Sequence, residues 1–91
     1  ESRQVFSLDM KLVVANWKMN PQTLEEARAL ASQIENWLLT MNQSLVETVI
    51  CPPFVFLPPL RIVVHSASLG SQNLAAQPEG PFTGEISARQ L

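Results

Sequence analysis

Cysteine and histidine are scarce in this chain, which has one of each, Cys51 and His65. A single cysteine cannot form a disulfide within the chain, and the two residues together are too few for a metal cage. The composition therefore predicts no internal disulfide and no metal, and it favours a reducing compartment, the cytoplasm. Because Cys51 ends a predicted strand before two prolines, we interpret it as a small buried residue rather than a nucleophile.

Runs of like charge and long apolar segments are also missing. Six Lys and Arg stand against eight Asp and Glu, without the basic stripe that nucleic acid or an anionic lipid surface requires. No segment approaches the roughly 20 apolar residues of a membrane span. The chain also lacks G-x-G-x-x-G, a P-loop and G-x-S-x-G, which argues against dinucleotide, nucleotide and esterase sites. Small molecules and protein partners remain.

Strand and helix patterns alternate along the chain after residue 10. The unbroken apolar run of residues 12–15 predicts a strand that is covered on both faces. Thr23 and Glu26 form the spacing of a capping box, which marks the start of a helix. The helix itself is predicted by apolar residues three or four apart, namely Leu24, Ala27, Ala31, Ile34, Leu38 and Met41. Residues 46–51, VETVIC, predict a second strand.

The second half of the chain continues this alternation. Prolines 58 and 59 precede residues 60–64, which predict a short helix, although their β-branched side chains leave a strand as the alternative. Residues 68–73 predict a third strand, and a loop rich in proline and glycine separates it from the start of a further helix in residues 85–91. Alternating elements predict a parallel sheet, but they do not choose between a doubly wound sheet and a (β/α)8 barrel.

Polar residues follow the first predicted strand, where ligands of parallel α/β proteins usually bind. Lys18 would offset the charge of a phosphate or an oxyanion, and Asn16 would donate through its amide. Spacing alone favours a plainer interpretation, in which the lysine faces solvent and the asparagines serve as turn and cap residues. Trp17 and Trp37 are interpreted as packing residues.

The remaining titratable residues are weaker candidates. His65 follows an apolar segment, and we interpret it as exposed or capping rather than catalytic. Glu79 and Glu85 have the chemistry of an acid and base pair, but the loop between them fixes no distance.

Four short motifs, ANWKMN, VICPPFVFL, LGSQN and FTGEIS, occur in this order, beginning at residues 15, 49, 69 and 82. Together they resemble the N-terminal part of the triosephosphate isomerase family, over residues 12–91. The resemblance implies an α/β fold in which residues 10–91 form a β-α-β-α-β fragment of a (β/α)8 TIM barrel, from the first strand to the start of the third helix. The parallel sheet would be incomplete in one chain, and residues 1–9 would be a leader or an upstream extension.

The resemblance also implies roles for particular residues. Asn16 is implied to contact the substrate. Lys18 is implied to contact it as well and to act catalytically, as the electrostatic partner of the substrate phosphate. The residues implied to lie at a homodimer interface are Gln72, Asn73, Phe82, Thr83, Gly84 and Glu85. No organic cofactor and no metal is implied.

The family interconverts dihydroxyacetone phosphate and glyceraldehyde 3-phosphate in glycolysis and gluconeogenesis. A complete barrel needs roughly 250 residues, and the family's electrophilic histidine, glutamate base and main phosphate loops follow later strands than the third. The resemblance therefore implies a truncated isomerase that is inactive by itself. The alternatives are a self-associating structural fragment, most simply a homodimer with no small-molecule function, and a phosphate-binding module that uses Lys18.

Overall fold

A three-stranded parallel sheet organises the chain. The computed structural model describes residues 10–41 and 45–91, so the predicted leader, residues 1–9, lies outside the described residues. The strands are β1 (Lys11–Asn16), β2 (Val46–Cys51) and β3 (Ser68–Leu69), in the order β1-β2-β3. Two helices connect them, α1 (Leu24–Leu38) and the short α2 (Leu57–Leu60), which a 3-10 turn (Phe54–Phe56) precedes. The predicted α/β fold with parallel strands is confirmed.

The register of the sheet brings the strand ends together. Asn16, the last residue of β1, lies opposite Cys51, the last residue of β2. The next strand follows in step, because Ile50 lies opposite Leu69 and its carbonyl accepts from the Gly70 N–H at 2.9 Å. The carboxyl ends of all three strands therefore meet at one edge of the sheet.

Helix α1 begins where the sequence predicts. Thr23 is its N-cap, and the Thr23 hydroxyl accepts from the Glu26 N–H at 3.1 Å and donates to the Glu26 carboxylate at 2.8 Å. The apolar stripe faces the core, with Ala27, Ala31 and Leu38 buried. The core cluster consists of Ala27, Ala31, Leu38, Ile50, Phe56, Leu60, Val64 and Ala67.

Helix α2 differs from the prediction in length and position. It begins at Leu57, before the proline pair, and ends at Leu60. A turn then follows, in which the N–H groups of Val63 and Val64 donate to the Leu60 carbonyl at 3.0 and 2.9 Å. The β-branched residues of this segment restrict χ1 and disfavour a longer helix.

Strand β1 is much more exposed than its apolar run predicts. Leu12, Val13 and Val14 are 64%, 49% and 56% exposed. Within residues 10–41 and 45–91, β1 pairs with β2 alone, so its other edge has no neighbouring strand. The expectation of a strand covered on both faces is wrong within the described residues, because such covering requires further elements beside β1.

The two tryptophans differ in burial. Trp17 is partly buried and packs against the core cluster, as predicted. The packing prediction for Trp37 is wrong, since its side chain is 60% exposed. At about 100° per residue, Trp37 lies roughly 120° around the helix from Ala31, and it therefore falls outside the buried stripe.

The C-terminal segment is held by a bridge and turns. Ala75 pairs with Ser87 in an isolated parallel bridge, and the Ala75 N–H donates to the Ile86 carbonyl at 2.7 Å. Where the sequence predicts the start of a third helix, the described residues form one turn, closed by the Gln90 N–H to the Ser87 carbonyl at 3.1 Å. A segment of this length forms too few hydrogen bonds to hold a helix by itself.

Candidate functional site

The strongest candidate site lies at the carboxyl edge of the sheet, directly after β1. The Trp17 N–H donates to the Cys51 carbonyl at 3.0 Å, which extends the pairing of β1 and β2 by one residue. Asn16 and Lys18 are both exposed, so their side chains are accessible to a ligand. The structure therefore places the two predicted residues side by side where the chain leaves the sheet.

A tight turn connects Asn16 to Lys18. The Asn16 side-chain oxygen accepts from the Lys18 backbone N–H at 2.8 Å, the arrangement of an Asx turn. Lys18 has a φ of 58°, a left-handed conformation that residues with a side chain rarely adopt. Asn16 is therefore a turn residue, as the plainer interpretation predicts. Its amide nitrogen donates to no other described residue, so that group stays available to an acceptor on a ligand.

Gln72 is a member of this site that sequence reasoning missed. Its side-chain amide donates to the Lys18 carbonyl at 2.7 Å and to the Cys51 carbonyl at 2.9 Å. The residue lies just beyond β3, so it links the ends of all three strands. The sequence resemblance selected Gln72 only as an interface residue, and its position after β3 is the one local signal that could have placed it here.

The segment after β3 carries all the predicted interface residues, including Gln72. Residues 82–85 are exposed, and Gly84 has a φ of 82°, a backbone conformation that suits glycine. The loop borders a surface cavity of about 430 Å³, to whose lining Glu79, Glu85 and Arg89 contribute. The structure thus brings the two glutamates to one cavity.

Glu35 is a buried carboxylate that the sequence analysis did not single out. Its oxygens accept from the backbone N–H groups of His65, Ser66 and Ala67 at 2.9, 2.7 and 2.8 Å. Burial raises the pKa of Glu35. The three hydrogen bonds and the charge of nearby His65 lower it by a larger amount, so the pKa lies below the usual 4.5. A glutamate within an apolar helical stripe, four residues after Ala31, was the available signal.

The contact between Glu35 and His65 lies at the amino ends of the strands, whereas Lys18 lies at their carboxyl ends. Residues 65–67 precede β3, whereas Lys18 follows β1, and in parallel strands these positions lie at opposite edges. The Glu35 contacts therefore anchor α1 to the segment that leads into β3. These contacts favour the ionised form of the Glu35 carboxylate and stabilise the fold. They lie away from the candidate site.

Cys51 and His65 behave as the sequence predicts. Cys51 is buried and carries a free thiol, and His65 is exposed. In the part of the chain that the structure describes, no three His, Cys, Asp or Glu side chains come together as metal ligands would. Among the same residues, no helix is both long and apolar enough to cross a membrane.

The chemistry of the site follows from these groups. A lysine ammonium and an asparagine amide can bind an anion or a carbonyl oxygen at the strand ends. Proton transfer at carbon also requires a base within hydrogen-bond reach. Asn16 and Lys18 supply groups for binding and electrostatic stabilisation, whereas His65 lies at the opposite ends of the strands.

Comparison with known proteins agrees with the sequence motifs. A sequence model described as triosephosphate isomerase matches residues 11–91. Curated relatives carry the same name, and three of them show the extent of the match. The chain is 40% identical to the relative from Dehalococcoides mccartyi strain CBDB1, over 88% of this chain and 31% of the relative. It is 42% identical to that from Alcanivorax borkumensis, over 88% and 30%, and 33% identical to that from Clostridium tetani, over 96% and 33%.

These matches also set the extent of the similarity. The chain spans about a third of the length of the curated relatives it matches. Both the site after β1 and the loop after β3 lie inside the matched residues.

Proposed function

Because this chain belongs to the triosephosphate isomerase family, we propose that it is the amino-terminal third of an isomerase barrel and that its Asn16 and Lys18 contact the substrate. The supporting observation is the cluster at the strand ends, where the side chains of Asn16 and Gln72 form hydrogen bonds with the backbone of Lys18. The proposed substrates are dihydroxyacetone phosphate and glyceraldehyde 3-phosphate, the triose phosphates of glycolysis and gluconeogenesis. The proposed setting is the cytoplasm, since Cys51 is a free thiol.

The proposed role of Lys18 is electrostatic. Its ammonium group would offset the charge of the substrate phosphate and of the oxyanion that develops as a proton moves between adjacent carbons. Asn16 would donate its amide N–H to the substrate while its oxygen keeps the turn closed. No metal or organic cofactor enters this proposal.

We expect the chain by itself to be inactive as an isomerase. Isomerisation requires a base that removes the proton and an electrophile that polarises the carbonyl, and the loss of either typically costs a factor of about 10² or more. His65, at the far edge of the sheet, is placed for neither role. In a coupled assay the purified chain should give the rate of buffer. Turnover that survives repurification and disappears in Lys18→Ala would contradict this expectation.

A chimera tests the positive part of the proposal. Residues 11–91 would replace the matching segment of the Dehalococcoides mccartyi relative, to which they are 40% identical, and circular dichroism would establish folding. We expect the folded chimera to isomerise triose phosphates and Lys18→Ala to lower kcat/KM by a factor of about 10² to 10³. Lys11→Ala is the matched control, because Lys11 lies at the other end of β1. Equal activity of the two variants would refute the role of Lys18.

A second candidate function is self-association as a homodimer, favoured by the exposure of β1. Leu12, Val13 and Val14 present apolar surface beside a strand edge that no other described residue pairs with, and such edges tend to pair with another chain. The exposed loop of residues 82–85, with Gln72 and Asn73, is the proposed second contact region. Neither region requires a small molecule.

Light scattering over a dilution series tests association. We expect the mass of a dimer at high concentration, and a shift toward monomer in Val14→Lys. Val55→Lys is the control, since Val55 is exposed but lies in the 3-10 turn, outside the sheet. A monomeric mass up to high micromolar concentration, with cooperative unfolding, would exclude the homodimer. Phe82→Ser tests the loop in the same assay.

A further inference from the structure

The Gln72 side chain joins the ends of the three strands. Both donated hydrogen bonds come from one amide nitrogen, to the Lys18 carbonyl at 2.7 Å and to the Cys51 carbonyl at 2.9 Å. The Cys51 carbonyl also accepts from the Trp17 N–H at 3.0 Å. A primary amide has two N–H groups, so this arrangement uses the full donor capacity of the side chain.

The backbone of Lys18 is held from both sides. Its N–H donates to the Asn16 side chain at 2.8 Å, and its carbonyl accepts from Gln72. Between these two bonds the residue adopts a φ of 58°, which sterics disfavour for any residue with a Cβ. An unfavourable backbone conformation persists only where surrounding contacts over-determine it.

We propose that Gln72 is a positioning residue, which holds Lys18 in its left-handed conformation and thereby fixes the direction in which the ammonium group leaves the backbone. This inference rests on the proposed role of Lys18 as a phosphate contact. It assigns to Gln72 a role within one chain, separate from the dimer interface. A side chain with two donors is required, because two carbonyl oxygens converge on it.

Gln72→Glu is the sharpest variant. It keeps the size of the side chain, but an ionised carboxylate donates no hydrogen bond and faces two carbonyl oxygens. Asn73→Asp is the matched control, because it makes the same chemical change at the adjacent, exposed residue. If Gln72→Glu fails to fold, Gln72→Met removes the donors without adding charge.

Nuclear magnetic resonance of the labelled chain supplies two readouts. A positive φ brings the amide and α protons of Lys18 close together, so their intraresidue Overhauser signal should be unusually strong. Titration with inorganic phosphate should shift the Lys18 amide. In the Gln72 variant we expect the Overhauser signal to fall to that of ordinary residues and the phosphate dissociation constant to rise about threefold to tenfold. Asn73→Asp should leave the signal intact.

A double substitution separates positioning from general stabilisation. In the unsubstituted chain, loss of Gln72 lets Lys18 leave its strained conformation, which recovers part of the lost stability. Glycine adopts a positive φ without steric strain, so in a Lys18→Gly background the loss of Gln72 should lower the unfolding midpoint more than it does in the unsubstituted chain. Equal losses in both backgrounds would overturn the inference.

The outcomes distinguish this inference from the function on which it rests. An unchanged Overhauser signal in a folded Gln72 variant, or an equal loss in Asn73→Asp, overturns the role of Gln72. A Lys18 amide that phosphate does not shift in the unsubstituted chain, with a strong signal that Gln72→Glu abolishes, supports the positioning role and refutes the phosphate contact.

Discussion

Strands β1 and β2 are neighbours of equal length, yet they differ greatly in burial. Both have six residues. Ile50 in β2 is 0% exposed, whereas Leu12 in β1 is 64% exposed. Strand β2 has β1 on one side and β3 on the other, while β1 has one neighbour among the described residues. Burial in a parallel sheet therefore depends on what surrounds a strand as much as on its own sequence.

The difference fits a chain that spans about a third of its relatives. The central strand, α1 and the segment of residues 56–67 share a small core, with Ile50 in the same cluster as Ala27 and Ala31. Among the described residues, nothing comparable covers the apolar side chains of β1. They indicate a surface that further β/α units or a second copy would bury.

The largest loss of stability is expected in the buried strand, β2. Ile50→Ala should lower the free energy of unfolding by about 2 to 5 kcal/mol, because it removes buried methylene groups and leaves a cavity. Urea-induced unfolding, followed by circular dichroism, measures the change. A loss below about 1 kcal/mol would mean that β2 lies in a looser core than its zero exposure indicates.

A smaller loss in the free energy of unfolding should follow when the segment before β3 loses its hydrogen bonds to α1. Glu35→Gln weakens three hydrogen bonds to the segment that leads into β3, and bonds to a charged group contribute about 1.5 to 3 kcal/mol. We expect a loss in that range. Glu47→Gln is the control, since Glu47 is an exposed carboxylate on β2, and its effect should stay within about 0.5 kcal/mol. Equal effects would exclude the anchoring role.

The Glu35 contribution should depend on pH. Because the pKa of Glu35 is lower in the folded chain than its usual 4.5, the ionised carboxylate stabilises the fold fully above the unfolded-state value. That contribution is lost as the pH falls through the lower, folded-state value. The unsubstituted chain should therefore lose more stability than Glu35→Gln between about pH 5 and pH 3. Parallel unfolding curves for the two proteins over this range would contradict the lowered pKa.

The smallest effect is expected on β1. Val14→Ala removes apolar atoms from a side chain that is already 56% exposed, so the free energy of unfolding of the monomer should change by less than about 0.5 kcal/mol. Dilute samples isolate this value from association. A loss as large as that of Ile50→Ala would show that β1 is covered in solution and would remove the contrast between the two strands.

Much of the fold was predictable because its signals are local. The start of α1 depends on Thr23 and Glu26, which are three residues apart, and the buried stripe repeats within a few residues. The length of α2 and the exposure of Trp37 were predicted wrongly, since each depends on small differences in backbone preference or angle around a helix.

The candidate site was predictable in part. Motifs at the end of β1 pointed to Asn16 and Lys18, and the structure places both at the strand ends. Their conformation was not predictable, because Lys18, with its left-handed φ, is hydrogen-bonded both to nearby Asn16 and to Gln72, which is distant in the chain. Roles for these residues in substrate binding and at an interface remain predictions that the experiments above address.

By itself, the sequence determined the order of strands and helices, the parallel sheet and the family, because periodicity, capping and short motifs involve residues close together in the chain. Three features required the three-dimensional contacts: the exposure of β1, the anchoring of Glu35 and the link from Gln72 to Lys18. Gln72 and Lys18 are 54 residues apart, and Glu35 lies 30 residues from His65. No local pattern encodes such pairs, since they meet only after the helices cross from one parallel strand to the next.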